Sequence, residues 1–306
     1  MSSVPATLFR TAPLSRALPR LAFALLLALP VLGACSHAAE PDQTTDEPGY
    51  DERMSREHAG DQPDATPAAQ EAPAQSVEEE DVVYARVGDR DVHGFLARPA
   101  GAEDSIPGIV VIHEWWGLND NIRAMARRLA GEGYAALAVD LYQGQAAETP
   151  EKARELMSAT NERTAEVEDN LRQAVKFLQD RGAERIGVIG WCFGGGWSLQ
   201  TALLVPDEID ATVIYYGRLV TDPDVLANLQ SPLLGIFGEL DQGIPVDTVH
   251  EFASALDELG KDVAIQIYPG ADHAFANPSG SRYQAEAADD AWAKTLAFFS
   301  DNLKRK

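Results

Sequence analysis

Two cysteines in 306 residues, Cys35 and Cys192, are too few and too differently placed to form a disulfide framework. Basic residues are also scarce. Lys and Arg number 25 against 48 Asp and Glu, for a formal net charge of −23. That balance excludes a nucleic-acid binder, which needs clustered cations for phosphate. It also opposes adsorption to anionic lipid. The apolar run at 21–32, LAFALLLALPVL, is broken by Pro30 and is shorter than the roughly 20 residues of a membrane-spanning helix. His113-Glu114 begins like a zinc-protease motif, but Gly117 stands where H-E-x-x-H requires the second histidine. The glycine-rich stretch at 190–196 carries neither G-x-G-x-x-G nor a Walker lysine. No internal repeat is visible. What is present is 45% hydrophobic and 24% charged, an ordinary globular composition.

The first residues read as an export signal. Arg10, Arg16 and Arg20 precede the apolar run, which ends in Leu32-Gly33-Ala34-Cys35. A Leu, two small residues and a Cys form a lipobox, with Cys35 as the lipid acceptor. Residues 1–35 are therefore expected to be a bacterial lipoprotein signal. The protein is then exported and held to a membrane by its lipid anchor alone, at the periplasmic face or outer membrane. Ser36 favours the outer membrane. Residues 36–81 are rich in Glu, Asp, Pro, Ala and Gln and poor in large apolar side chains. Such a stretch cannot bury enough surface to offset the entropy of ordering, so a disordered acidic tether is expected, closed by Glu78-Glu79-Glu80-Asp81. The folded domain is expected from Val82 to Lys306.

Within that domain short apolar runs alternate with longer amphipathic ones. Residues 82–87 and 92–97 read as a hairpin. Continuous apolar strands are expected at 108–112, 134–139, 185–190, 211–216, 232–237 and 263–268. Helices are expected at 119–131, 150–180 (possible in two pieces), 194–204, 246–259 and 281–303. The alternation predicts an α/β fold, a mostly parallel sheet with helices on both faces.

Gly190-Trp191-Cys192-Phe193-Gly194 follows a strand and opens a helix, which is the nucleophile-elbow pattern with Cys192 in the serine position. The glycines permit the tight turn, and the helix N-terminus favours a thiolate. Asp241 follows a buried strand, and His273 lies in a loop after the last one. This gives the chain order nucleophile, acid, histidine. Of the six histidines, His37 and His58 fall in the tether, His93 in an edge strand and His250 in a helix. His113 precedes the elbow. His273 is left as the base. The loop after 108–112 would supply an oxyanion-hole N–H from Trp115, paired with that of Phe193.

From about Ile109 to Phe299 the chain resembles the dienelactone hydrolase family, of the α/β-hydrolase superfamily. The matching residues are the Glu114 loop, Asp140-Leu141-Tyr142, the elbow, Tyr215-Tyr216-Gly217, the Asp241 turn and the His273 loop. The resemblance implies a Cys192-His273-Asp241 triad and a special role for Glu114. The thiol pairs with this carboxylate at rest and passes its proton to it when substrate displaces it. It also implies an arginine soon after the histidine, where this chain has Asn277. A second substrate arginine is matched at best by Lys152 or Arg154.

The expected function is hydrolysis of a small ester or lactone through a covalent cysteine intermediate, with no metal or organic cofactor and a monomer favoured. Rival readings are a serine-type lipase or peptidase on the same fold, which the cysteine opposes, and a surface binding lipoprotein with a retired hydrolase fold. Asn277 brings no charge, so neutral substrates are expected over carboxylated ones, unless Arg218 or Arg282 reaches the pocket.

Overall fold

A computed structural model describes residues 49–63, 65–102 and 105–304. The expected signal at 1–35, with Cys35, and residues 36–48 of the expected tether lie outside the described residues. An eight-stranded sheet runs in the order β1-β2-β4-β3-β5-β6-β7-β8. Its strands are β1 (Val77–Val87), β2 (Arg90–Pro99), β3 (Gly108–Ile112), β4 (Ala135–Val139), β5 (Ile186–Trp191), β6 (Ala211–Tyr215), β7 (Leu233–Gly238) and β8 (Val263–Tyr268). β1 and β2 form the antiparallel hairpin, and β2 joins β4 antiparallel. From β4 to β8 every pairing is parallel. The mostly parallel α/β sheet expected from the alternation is present.

Eight helices among the described residues connect or flank the strands: α1 (Tyr50–Glu57), α2 (Asp120–Gly131), α3 (Pro150–Asn161), α4 (Thr164–Asp180), α5 (Phe193–Leu204), α6 (Pro223–Leu226), α7 (Val246–Glu258) and α8 (Ala285–Leu303). Local chemistry sets several starts. Asn119 accepts from the Ile122 N–H at the head of α2, and Thr149 caps α3 with Pro150 in its first turn. The expected 150–180 helix is indeed two pieces, α3 and α4. β3, β5, β6 and β7 are buried at every position, as their unbroken apolar runs require. Each fully buried Val, Ile or Leu there contributes roughly 1.5–3 kcal/mol.

Where its residues are described, the expected tether differs from the structure. Residues 49–63 hold α1 and a turn, 67–70 form a 3-10 turn, and β1 begins at Val77 rather than Val82. Composition averaged over the stretch hides a one-sided pattern. Tyr50, Met54 and His58 recur every four residues and share a face, and Met54 and His58 are fully buried. The acidic run expected to close the tether lies in β1 instead. There Glu79 takes a two-pronged bond from Arg127 on α2, and Asp81 takes one from Arg123.

The fold delivers its sharpest turn between β5 and α5. Cys192 sits at φ 53°, a left-handed conformation unusual for a residue with a side chain. A Cβ on Gly190 would fall 2.2 Å from the Gly194 carbonyl oxygen, and one on Gly194 would fall 2.4 Å from that of Ile112. Backbone, not a flexible side chain, fills both spaces. Gly190→Ala should therefore lower unfolding free energy by about 3 kcal/mol or more, read by urea denaturation. A loss below about 1 kcal/mol would mean that the turn is not packed this tightly.

Candidate active site

Cys192 caps α5 and is completely buried. The helix's first N–H groups, that of Phe193 among them, have no acceptor within the helix, so they can face charge that develops beside the sulfur. Trp115, in the loop after β3, is also fully buried.

Asp241 and His273 come together as the chain order implies. His273 Nδ1 lies 2.7 Å from Asp241 Oδ2, and both side chains are fully buried. The other oxygen of Asp241 accepts the N–H groups of Gly243 and Ile244, each at 2.8 Å. The carboxylate is thus fixed before it meets the ring. An ionised carboxylate only accepts, so Nδ1 holds the hydrogen and Nε2 is the basic atom. A nitrogen of His273 lies within 4.8 Å of the Cys192 sulfur.

His58, not expected from the sequence, also reaches the thiol. Its Nε2 is 3.3 Å from Cys192 Sγ, and its Nδ1 is 3.0 Å from Asp61 Oδ2. The ring stacks on Trp115, with centroids 4.3 Å apart, and stands edge-on to His273 at 5.1 Å. Met54 Sδ approaches the same thiol at 3.8 Å. Composition alone assigns His58 to a tether, far from the site. The available signal was its four-residue spacing from Met54 and Tyr50. His58, Cys192 and His273 put their side-chain atoms within 4.8 Å of one another. A soft cation would compete with the proton for those atoms.

Glu114 is buried, and its Oε2 accepts from Asn277 Nδ2 at 2.7 Å. The resemblance implied a thiol–Glu114 pair, but here the thiol's bond goes to His58 and the carboxylate's to Asn277. Burial, then the charge of Cys192, push the Glu114 carboxyl up to about 7. His113 is a buttress: its Nε2 accepts the Leu141 N–H and its ring stacks on Phe193. Of the other candidate cations, Lys152 pairs with Glu155 on α3, and Arg282 binds Glu57 and Asp61. Arg218 lies over the Tyr50 ring. It lines a cavity of about 530 Å³ bounded also by Phe193, Trp197 and Gln200. Among the described residues, the buried hydroxyls of Tyr50, Tyr142 and Tyr216 have no hydrogen-bond partner.

Burial pushes the Cys192 thiol up, but the charges of His273 and His58 outweigh it and bring it down to about 6. His273 moves the opposite way. Burial disfavours its cation, but Asp241 and then Cys192 hold it well above the ordinary imidazole value. Near neutral pH these shifts favour passage of the thiol proton to a facing imidazole.

A mostly parallel sheet with a cysteine at the strand-to-helix elbow defines an α/β-hydrolase. The chain belongs to the dienelactone hydrolase family, whose model matches residues 92–303. It is 33% identical over 261 residues to a Saccharolobus solfataricus protein named "Putative carboxymethylenebutenolidase", covering 72% of this chain and 97% of that one. It is 36% identical over 220 residues to the protein usf of Aquifex pyrophilus, covering 69% and 94%. A dienelactone hydrolase-like promiscuous phosphotriesterase from metagenomic libraries superposes with a TM-score of 0.68 at 25% identity, over 74% of this chain and 99% of that one. The protein is a dienelactone hydrolase-like enzyme.

The lowered thiol value has a direct readout. Alkylation of Cys192 by iodoacetamide should follow a titration centred near pH 6, losing rate as pH falls through that value. A midpoint near the ordinary thiol value, about 8.5, would contradict the charge pairing described above.

Proposed function

We propose that the protein hydrolyses small, activated, neutral esters or lactones through Cys192, His273 and Asp241. The observation that carries this reading is the fixed Asp241–His273 pair, 2.7 Å apart, beside a buried thiol at the start of α5. The Cys192 thiolate attacks the carbonyl carbon, and the N–H groups of Phe193 and Trp115 stabilise the oxyanion. The leaving oxygen takes the former thiol proton from the facing imidazolium and departs as an alcohol, or as the freed hydroxyl of a lactone, and a thioester remains on Cys192. His273 Nε2 then takes a proton from the water that attacks the thioester, while Asp241 holds the ring and the positive charge it acquires. Glu114 is held by Asn277 in this chain, so it serves as a shared acidic group at the pocket rather than as the thiol's resting partner.

The neutral preference follows from the cations. Asn277 donates from an uncharged amide already engaged by Glu114, and Arg282 is engaged by two carboxylates. Arg218 is the cation that borders the cavity beside Phe193. A charge-assisted bond is roughly twice as strong as a neutral one, so a carboxylated substrate would depend on that single side chain.

Cys192→Ala should abolish turnover and leave the fold intact, and rapid quenching of the native enzyme with an aryl ester should show the acyl mass on Cys192. Full activity in the variant would exclude the covalent route. A neutral aryl ester should match or exceed its carboxylated analogue in kcat/KM. A tenfold preference for the carboxylated compound, about 1.4 kcal/mol, that disappears in Arg218→Ala would reverse the substrate assignment.

The same proposal includes export and lipid attachment at Cys35, which rest on the lipobox 32–35 and the preceding basic and apolar segments. Mass spectrometry of the native N-terminus should find a lipidated Cys35. A free, unmodified terminus upstream of it would refute this.

A further inference from the structure

We propose that His58, oriented by Asp61, is a second acid–base residue of the Cys192 site, carried onto the thiol by residues 50–61. The inference rests on Cys192 being the nucleophile and goes beyond the triad.

The geometry repeats the His273–Asp241 arrangement with a second imidazole, whose ring stands edge-on to His273 at 5.1 Å. Asp61 accepts from His58 Nδ1 at 3.0 Å, so the hydrogen sits on Nδ1 and the Nε2 lone pair faces the thiol at 3.3 Å. Asp61 is itself fixed by the C-terminal part of the domain. Its Oδ1 accepts from the Ser281 N–H at 3.1 Å and hydroxyl at 2.6 Å. Arg282 spans Asp61 and Glu57 at 3.4 Å and 2.8 Å. Burial opposes the Asp61 charge, yet the bonds from His58 and Ser281 hold its carboxyl well below the usual range.

A segment that only covered a pocket would present apolar side chains. Burying an imidazole and a carboxylate costs several kcal/mol unless each is paired. Here the pairing is complete and ends on the reactive sulfur. The groups facing His58 are Cys192, His273, Asp61 and Glu114, with Glu57 and Arg282 behind Asp61. Burial disfavours the His58 cation, but Cys192 and then Asp61 raise it above its ordinary value.

The protons divide between two bases. The thiol proton passes to His58 Nε2, giving thiolate and imidazolium. As the thiolate forms the C–S bond, the carbonyl electron pair moves to oxygen. Collapse re-forms the carbonyl and breaks the bond to the leaving oxygen, which takes the proton from His58. His273 then deprotonates the water that replaces sulfur, and its proton returns to the departing thiolate. His58 thus serves acylation and His273 serves deacylation.

The test compares wild type, His58→Gln and Asp61→Asn as chelator-treated full-length protein, with thermal melts to confirm folding. Aryl and alkyl esters of one acid separate the roles, because an alkoxide needs a proton far more than a nitrophenolate does. In His58→Gln the acylation rate should fall about 100-fold for the alkyl ester and much less for the aryl ester. Thiolate absorbance at 240 nm should titrate about one unit higher, and deacylation should be unchanged. Asp61→Asn should move each quantity the same way by less. Equal losses for both esters with an unshifted thiol titration would reduce His58 to packing. A gain in activity would make the segment an inhibitory plug. Either result overturns the proposal. If Cys192→Ala or His273→Gln retained activity, the nucleophile reading itself would fall, and the thiol titration would still report whether His58 faces Cys192.

Discussion

A buried thiolate is the constraint on which the site depends. Cys192 has no exposed surface, and an isolated anion there would be far less stable than a neutral thiol. Two imidazoles and the N-terminus of α5 supply the compensation. Each imidazole must in turn be steadied by a carboxylate, and each carboxylate by backbone or hydroxyl donors. Asp241 draws its donors from its own turn, at Gly243 and Ile244, whereas Asp61 draws its donors from Ser281 across the molecule. Removing an outer member leaves an inner one as an unpaired buried charge. The elbow glycines belong to the same chain of dependence, because Cys192 can hold φ 53° only where Gly190 and Gly194 leave room for the backbone to cross.

The difference between Asn277 and an arginine alters the electrostatics of the whole pocket. A guanidinium beside Glu114 would keep the carboxylate ionised and tie it down. An amide donates without charge, and burial leaves the Glu114 carboxyl near 7. Its protonation is then sensitive to the state of Cys192, which lies within its electrostatic reach. Burial and neighbouring charge thus bring the Cys192 thiol to about 6 and the Glu114 carboxyl to about 7, while His273 is held well above its ordinary value.

Much of this was legible in the sequence because it was local. Five-residue apolar runs marked β3 and β6, and the glycine spacing marked the elbow. Chain order brought out Asp241 and His273. The hidden part was long-range. Glu79 and Asp81 look like a solvated linker until α2 presents Arg127 and Arg123 to them. α1 looks disordered because its polar face outnumbers its apolar one, and the surface that buries Tyr50, Met54 and His58 is assembled from distant loops. Composition measures the average of a segment, while docking depends on one face. The Glu114–Asn277 bond was concealed for the same reason, since its partners are 163 positions apart.

The separations across the α1 contacts bear on how the molecule is made. His58 meets Cys192 across 134 positions, Asp61 meets Ser281 across 220, and Glu57 meets Arg282 across 225. Loop-closure entropy places such contacts late in folding, and during synthesis Ser281 emerges 220 positions after Asp61. The segment 50–61 must therefore wait, undocked, until the rest of the domain exists to receive it. A chain interrupted before the loop at 281–282 holds Cys192, Asp241 and His273 but lacks the partners that fix Asp61 and Glu57. The second imidazole is thus anchored only once that loop is in place, whereas Asp241 and His273 precede it and need no such wait.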